Sequence, residues 1–460
     1  MLRDLDFQAI KAKAENLLSR EDIASREELD RFLYSLHPVD IATLIGELGL
    51  EKSRKIIELL RGEQLALVMV ELYKMDRLDI LRELIDALPE DKLKSALSEM
   101  PYDDVTDILA DLGEKGNELF KLLEREDAEE VRELLYYPEE SAGGIMTTEF
   151  IAFHRDMTVR EAMDELRKKA SEVETIYYIY VVDEDGKLSG VLSLRDLLTS
   201  PPDLRLSEIM NPNVIKVNLD TDQEEVARVV SKYDLLAVPV VDRAGRLVGI
   251  VTFDDIIDVI EEEASEDIYK MVGSLDEGAE ISSLKIVKLR LPWLMVSLVG
   301  ESISANVIRS FDAIIKVVVS LAWFIPMIMA LGGNAGTQAA AIVIRGIATG
   351  EVNTEKLKKL LLREVKVGAI MGAISGLVVG GVGISLHHDY LVGVVVAISM
   401  VVAIAAAAGI GALIPLMFDK LGVDPALASG PFITTMNDVT GLLIYFSLAF
   451  VFLHVLGWEG

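Results

Sequence analysis

The chain has 460 residues, no cysteine, a 51% hydrophobic share, and 45 basic against 75 acidic side chains, for a formal charge of −30. That length holds two or three domains, and that apolar share is too high for an ordinary water-soluble chain carrying so much charge. The carboxylate excess argues against nucleic acid and anionic lipid as partners and favours cations, while the lack of cysteine excludes disulfides and thiolate metal sites.

The charge is unevenly placed. Residues 286–460 hold 11 basic and 10 acidic side chains, which leaves 34 and 65 for residues 1–285. The N-terminal "MLRDLDFQAIKAKAENLL" lacks the apolar core of a secretory signal, so the acidic part is expected to stay in the cytoplasm. From residue 1 to about 135, Leu and Ile recur at helical spacing in "HPVDIATLIGEL", "LDILRELIDALPEDKLKSALSEM" and "YDDVTDILADL". Apolar turns alternate with short acidic breaks, which predicts an acidic superhelical domain over 1–135. Most of its carboxylates read as a solvated face.

An internal repeat follows. "GIMTTEFIAF" at 144–153 is echoed by "EIMNPNVIKV" at 208–217, and "YIYVVDEDGKLSGVLSLRDLL" at 178–198 by "AVPVVDRAGRLVGIVTFDDII" at 237–257. Asp183, Gly186, Gly190 and Asp196 align with Asp242, Gly245, Gly249 and Asp255 at a constant offset of 59. Each copy reads as a helix, two strands joined through a glycine turn, and a second helix. This pattern resembles a tandem pair of CBS domains, over 136–200 and 201–260. In that family the cleft between copies often holds an adenine nucleotide such as ATP. The resemblance points to Tyr178, Ser193, Arg195 and Asp196 as its contacts, with Thr252 and Asp255 at the matching positions of the second copy. The same Ser/Thr and Asp spacing would also cap the helix that follows, without any ligand.

Residues 261–285 predict an acidic connecting helix. Glu261, Glu262, Glu263, Glu266 and Asp267 are five carboxylates in seven positions, and at i, i+4 spacing they repel unless cations or a basic surface neutralise them. Beyond it, apolar segments at about 289–311, 317–345, 365–387, 391–418 and 431–456 are each long enough to cross a bilayer as helix, which makes 286–460 a five-helix transmembrane domain. With the N-terminus inside, ten Lys and Arg flank the cytoplasmic ends (285, 288, 290, 345, 356, 358, 359, 363, 366, 420) and two, Arg309 and Lys316, the external ends. The chain is therefore expected in the cell (inner) membrane with its C-terminus outside. Gly372, Gly376 and Gly380 form a small-residue stripe for close helix packing. In span two, Pro326, Gly332, Gly333, Asn334 and Gly336 predict an interrupted helix whose freed carbonyls line a polar path.

Two carboxylates lie at membrane depth, Asp438 in span five and Glu301 in span one, with no base at comparable depth to pair with either. Asp312, Asp389, His387 and His388 fall at external ends. Inserting a carboxylate costs at least about 2.5–3.5 kcal/mol, so each is a functional candidate. Thr434, Thr435 and Asn437 give Asp438 oxygen-rich surroundings without sulfur or imidazole, which suits hard cations such as Mg2+ and Ca2+.

The order of acidic helical domain, CBS pair, acidic helix and five spans resembles the MgtE family of magnesium channels. So do "ETIYYIYVVDEDG", "TDQEEVARVVSKYD", "GGNAGTQ", "GVDPALASGPFITT" and "NDVTGLLIY". The resemblance covers nearly the whole chain and implies a homodimer with a pore between protomers, in which Asp438 binds hydrated Mg2+ at the cytoplasmic side. The glycine-rich stretch Gly332–Gln338 would border the same path, with Thr434, Asn437, Gly332, Gly333 and Asn334 beside the ion. Gly430 stands where some members have Asn, and Glu301 matches no family motif. The family also implies pore closure when Mg2+ bridges the cytoplasmic parts. Candidate ligands are Asp103 and Asp107 on the helical domain, Glu224, Asp234, Asp255 and Asp258 on the second CBS copy, and Glu263, Glu266 and Asp267 on the connecting helix. A second reading is a proton- or ion-coupled divalent cation antiporter with Asp438 as the exchanging carboxylate. An intramembrane metalloprotease is disfavoured, because the five histidines (37, 154, 387, 388, 454) form no H-E-x-x-H, and no enzyme activity is expected.

Overall fold

The computed structural model describes residues 2–20, 22–170, 173, 175–272, 283–349, 354–387, 390–428 and 430–455. Residues 273–282 of the expected connecting helix, His388 and Asp389 lie outside the described residues. The chain divides into two compact units, residues 1–259 and 260–460.

The first unit opens with short helices from Leu2–Leu18 to Arg125–Leu134. Their apolar faces meet in one core in which Leu33, Ile41, Leu44, Ile45, Ile56, Leu60, Leu65 and Met69 are fully buried. Helices this short are marginal alone, so stacking against neighbours supplies their stability. Two three-stranded sheets follow. One contains Ala152–His154, Tyr178–Val182 and Leu188–Ser193, the other Val217–Asn218, Ala237–Val241 and Leu247–Thr252. In each, the first pair is parallel and the second antiparallel, and the hairpin turns on Gly186 or Gly245 at φ 77° or 83°.

The two copies exchange their leading segments. Thr147 pairs with Ile250, Met146 lies on Gly249, and Ala142 and Met146 join the second copy's core with Val226, Val240 and Val251. Reciprocally, Asn211 pairs with Val191, Met210 lies on Gly190, and Leu206 completes the first copy's core. Gly190 and Gly249 therefore leave room for the exchanged methionines, since a Cβ at either position would overlap the thioether.

Five helices of the second unit are long and apolar enough to cross a membrane, in the segments Ser283–Ser310, Val319–Ala348, Lys358–Ser385, Tyr390–Lys420 and Gly430–His454. Their outer faces expose Leu294, Leu298, Val299, Ile370 and Leu377, a distribution that suits lipid and not water. The third and fourth spans pack along the glycine stripe. Cβ atoms at Gly372, Gly376 and Gly380 would come within 2.7 Å of Met400 O and 2.6 Å of Ala397 O and Gly393 O, so only glycine permits this approach.

Span two corrects the expected interruption. Ile325–Ala348 is a continuous α-helix through Gly332, Gly333, Asn334 and Gly336; Pro326 sits in its first turn, where no amide donor is needed. The irregular backbone lies earlier, in the 3-10 segment Val319–Phe324, whose Leu321 carbonyl accepts a hydrogen bond from the buried Tyr445 hydroxyl at 2.9 Å. Without water to satisfy freed amides, the helix keeps its own hydrogen bonds, and its glycines serve close packing. Gly336 meets both Gly411 of the fourth span and Asn437 of the fifth so closely that a Cβ on Gly336 would overlap Asn437, and one on Gly411 the Gly336 backbone.

Replacing Gly411 by Ala should therefore force backbone apart and lower the thermal midpoint of the detergent-solubilised protein, an overpacking effect of about 1–3 kcal/mol. Gly381→Ala, where nothing lies within 4 Å of the added Cβ, should melt like the parent. Equal melting of the two variants would refute the close-packed junction.

Candidate functional site

Thr434, Asn437 and Asp438 sit at i, i+3 and i+4 of the helix Gly430–Val455, which places them on one face. Asn437 is 1% and Asp438 4% exposed, whereas Thr434 is exposed and donates to the Gly430 carbonyl at 3.3 Å. Gly430 is thus the first residue of the span, holding its opening turn together.

The second span supplies the opposite wall. A Cβ at Gly333 would stand 3.4 Å from Thr434 Cγ2 and 3.9 Å from Asp438 Oδ1, so the aspartate faces bare backbone. Asn437 lies on Gly336, and neither its Oδ1 nor its Nδ2 has a hydrogen-bond partner. Gly332 instead faces Ala407, and Asn334 is exposed, so within the chain these two expected site residues are not brought to Asp438. Among the described residues no Lys, Arg or His pairs with Asp438; the charged group that faces it is Glu301, whose carboxyl reaches the Asp438 carboxyl. The first span is pressed against the fifth at this level, where Gly300 abuts Thr435. The uncompensated carboxylate in span one was the only sequence signal for this contact.

The acidic group of the first unit is built on three helices. Asp103, Asp104 and Asp107 lie on Tyr102–Leu112, Asp254, Asp255 and Asp258 at the start of Phe253–Met271, and Lys74 ends Gly62–Lys74. Burial, followed by neighbouring carboxylates, pushes Asp104 up to about 7, with Lys74 opposing, and Asp107 up to about 8. Burial also raises Asp255 against the hydrogen bond it accepts from Thr252. Lys74 is the base within this group, with Nζ 2.8 Å from Asp258 and 3.9 Å from Asp255. Burial alone would lower Lys74, and the carboxylates around it reverse the sign. Sequence reasoning missed Asp104 and Lys74, because only tertiary packing selects which of several carboxylates on a helix face the cluster. Of the other candidates, Glu224 pairs with Arg228 at 3.0 Å, and Asp234 is an exposed left-handed C-cap at φ 50°.

In the second unit, Glu263 and Asp267 are half-buried, and Glu266 accepts from Lys270 at 2.6 Å. Lys270 also binds Asp424 at 2.7 Å, just before the fifth span, and Met271 packs with Ile344, Ala426 and Ile433. Among the described residues no three acidic or His groups converge as a finished metal cage. The half-buried Asp104 and Asp107 belong to an incompletely neutralised oxygen donor set, which fits a divalent ion of oxygen preference. At the expected nucleotide position, Tyr178 and Ser193 are paired across strands, Arg195 and Asp196 are exposed, and Ser193 and Asp196 form a capping box with Oγ 2.6 Å from Oδ2.

Residues 325–448 match the family model of a divalent cation transporter, MgtE. Residues 36–140 match the MgtE intracellular N domain, and 142–203 and 206–262 the CBS domain. The magnesium transporter MgtE of Thermus thermophilus is 39% identical over 430 residues, 92% of this chain and 94% of that one. The magnesium transporter MgtE of Enterococcus faecalis is 44% identical over 72% of this chain and 73% of its own. Among solved structures, the cytosolic domain of the Mg2+ channel MgtE in complex with ATP is similar at TM-score 0.51 and 42% identity, covering 54% of this chain and 99% of that chain. The soluble part of a magnesium transporter gives TM-score 0.50 at 35% identity, covering 56% of this chain and 99% of its own. With relatives this similar along nearly its whole length, the chain belongs to the MgtE family of divalent cation transporters.

Proposed function

We propose that this chain is a Mg2+ channel that admits the ion to the cytoplasm through a pore between two protomers, with Asp438 as the ion-binding group. The observation that carries the reading is the buried Asp438 carboxylate, set on the bare backbone of Gly333 with no base beside it among the described residues. A divalent cation supplies the missing charge, and an ion that keeps most of its water needs only one or two carboxylates plus neutral oxygens such as those of Thr434 and Asn437. The bias of basic residues in the loops supports an inside N-terminus and an outside C-terminus.

Regulation follows from the acidic cytoplasmic group. At low Mg2+, Asp104, Asp107, Asp255 and Asp258 repel one another and Lys74 neutralises them only in part. Bound Mg2+ would relieve that repulsion and favour the closed arrangement, by its higher affinity for the state in which the carboxylates converge. Glu263, Glu266 and Asp267 add further carboxylates in the second unit, where Lys270 ties Glu266 to Asp424. The edge formed by Tyr178, Ser193, Arg195 and Asp196 is the proposed adenine nucleotide contact, supported by the ATP complex of the 42% identical cytosolic domain.

Asp438→Asn should reduce Mg2+ flux into proteoliposomes by about tenfold or more, on the scale expected when a metal site loses a ligand. The assembly should stay intact by size-exclusion chromatography. Full, selective flux through this variant would remove Asp438 from the pore. On the regulatory side, patch-clamp titration of internal Mg2+ should show opposite shifts for two variants. Lys74→Gln, which unmasks negative charge, should close the channel at lower Mg2+, and Asp107→Asn should require more; shifts of the same sign would contradict the electrostatic account.

A further inference from the structure

We propose that Glu301 is a second cation-binding carboxylate of the transport path and acts with Asp438 of the same chain to set the preference for divalent over monovalent ions. The inference rests on the reading of Asp438 as the pore ligand and adds a residue from a different span.

Its basis is placement. Gly300 and Ser304 are the buried residues of the helix Ser283–Ser310 and lie one turn apart, so they mark the stripe that packs on another element. Gly300 abuts Thr435, which fixes that element as the fifth span and the level as one turn before Asp438. Glu301, on the flank of this stripe, extends its carboxyl to that of Asp438 and keeps an exposed side.

Two further groups point to a polar occupant. Asn437, next to Asp438, is 1% exposed with both side-chain polar atoms unpartnered, and Ser304, three residues after Glu301 on its helix, is 1% exposed with an unpartnered hydroxyl. Buried polar atoms are normally satisfied, so unsatisfied ones next in sequence to Asp438 and one helical turn from Glu301 mark a place for water or a hydrated ion. Two apposed carboxyl groups, with no base among the described residues nearby, share a proton or take up a cation. Doubling the site charge favours a divalent ion, because attraction grows with the product of charges.

The test uses the full chain in proteoliposomes with Glu301→Gln, Glu301→Asp, Asp438→Asn and the Glu301→Gln/Asp438→Asn double variant. Glu301→Gln should raise the Mg2+ concentration for half-maximal flux by roughly 10-fold, the scale on which metal sites respond to loss of a supporting group. It should also lower the Mg2+ over Na+ permeability ratio, while Glu301→Asp restores part of both. The double variant should be no worse than Asp438→Asn alone, as expected for groups serving one ion. Parental concentration dependence and selectivity in Glu301→Gln, or tighter apparent Mg2+ binding, would overturn the proposal. Retained flux in Asp438→Asn would instead overturn the pore reading on which it depends.

Discussion

A carboxylate at membrane depth, with no base among the described residues to pair with, is the constraint around which the second unit is organised. Asp438 cannot face lipid, so the fifth span turns it onto the glycine face of the second. That face exists because Gly333 and Gly336 present backbone where any side chain would fill the space, and Gly411 lets the fourth span close behind it. The third span then locks on the fourth through its own glycine stripe. Close packing among these helices and an unneutralised charge at their centre are thus two sides of one arrangement: small residues remove side-chain bulk, and what they admit is polar.

The first unit repeats the same electrostatic theme in a different solvent. Burial and neighbouring carboxylates raise Asp104 and Asp107 above the usual carboxylate range, and Lys74 offsets only part of the surrounding charge. An incompletely neutralised cluster responds to divalent ions, because small changes in ion occupancy change the sign of the force between helices. A fully paired cluster would be indifferent to them. The exchanged segments of the CBS pair make the two copies one body, so that a force acting on Asp255 is carried by both sheets.

Much of the architecture is legible in the sequence, since hydropathy, the 59-residue offset and helical periodicity are local or repetitive signals. Asp438 is legible for the same reason, as an acidic residue in an apolar run. What escapes is decided by packing between distant segments. Asp104 looks like any other carboxylate until tertiary structure brings it against its partners, Glu301 reads as a candidate without a partner, and Lys74 reads as an ordinary helix-terminal lysine. The glycine-rich stretch of span two suggests a break whose freed carbonyls meet water along a polar path. In lipid that option is missing, and the continuous helix wins. Asn334 follows from the same correction: on an unbroken helix it turns away from the face that carries Gly333 and Gly336.

The central claim is that Asp438 holds a divalent cation at the junction of the second and fifth spans. Anomalous scattering from crystals of the full chain grown with Mn2+ in place of Mg2+ tests it most directly. The account predicts a peak between Asp438 and the Gly333–Gly336 face, within the reach of one water layer from the carboxylate, and its loss in crystals of Asp438→Asn. Mn2+ peaks confined to the acidic helices of the first unit, with none beside Asp438, would contradict it.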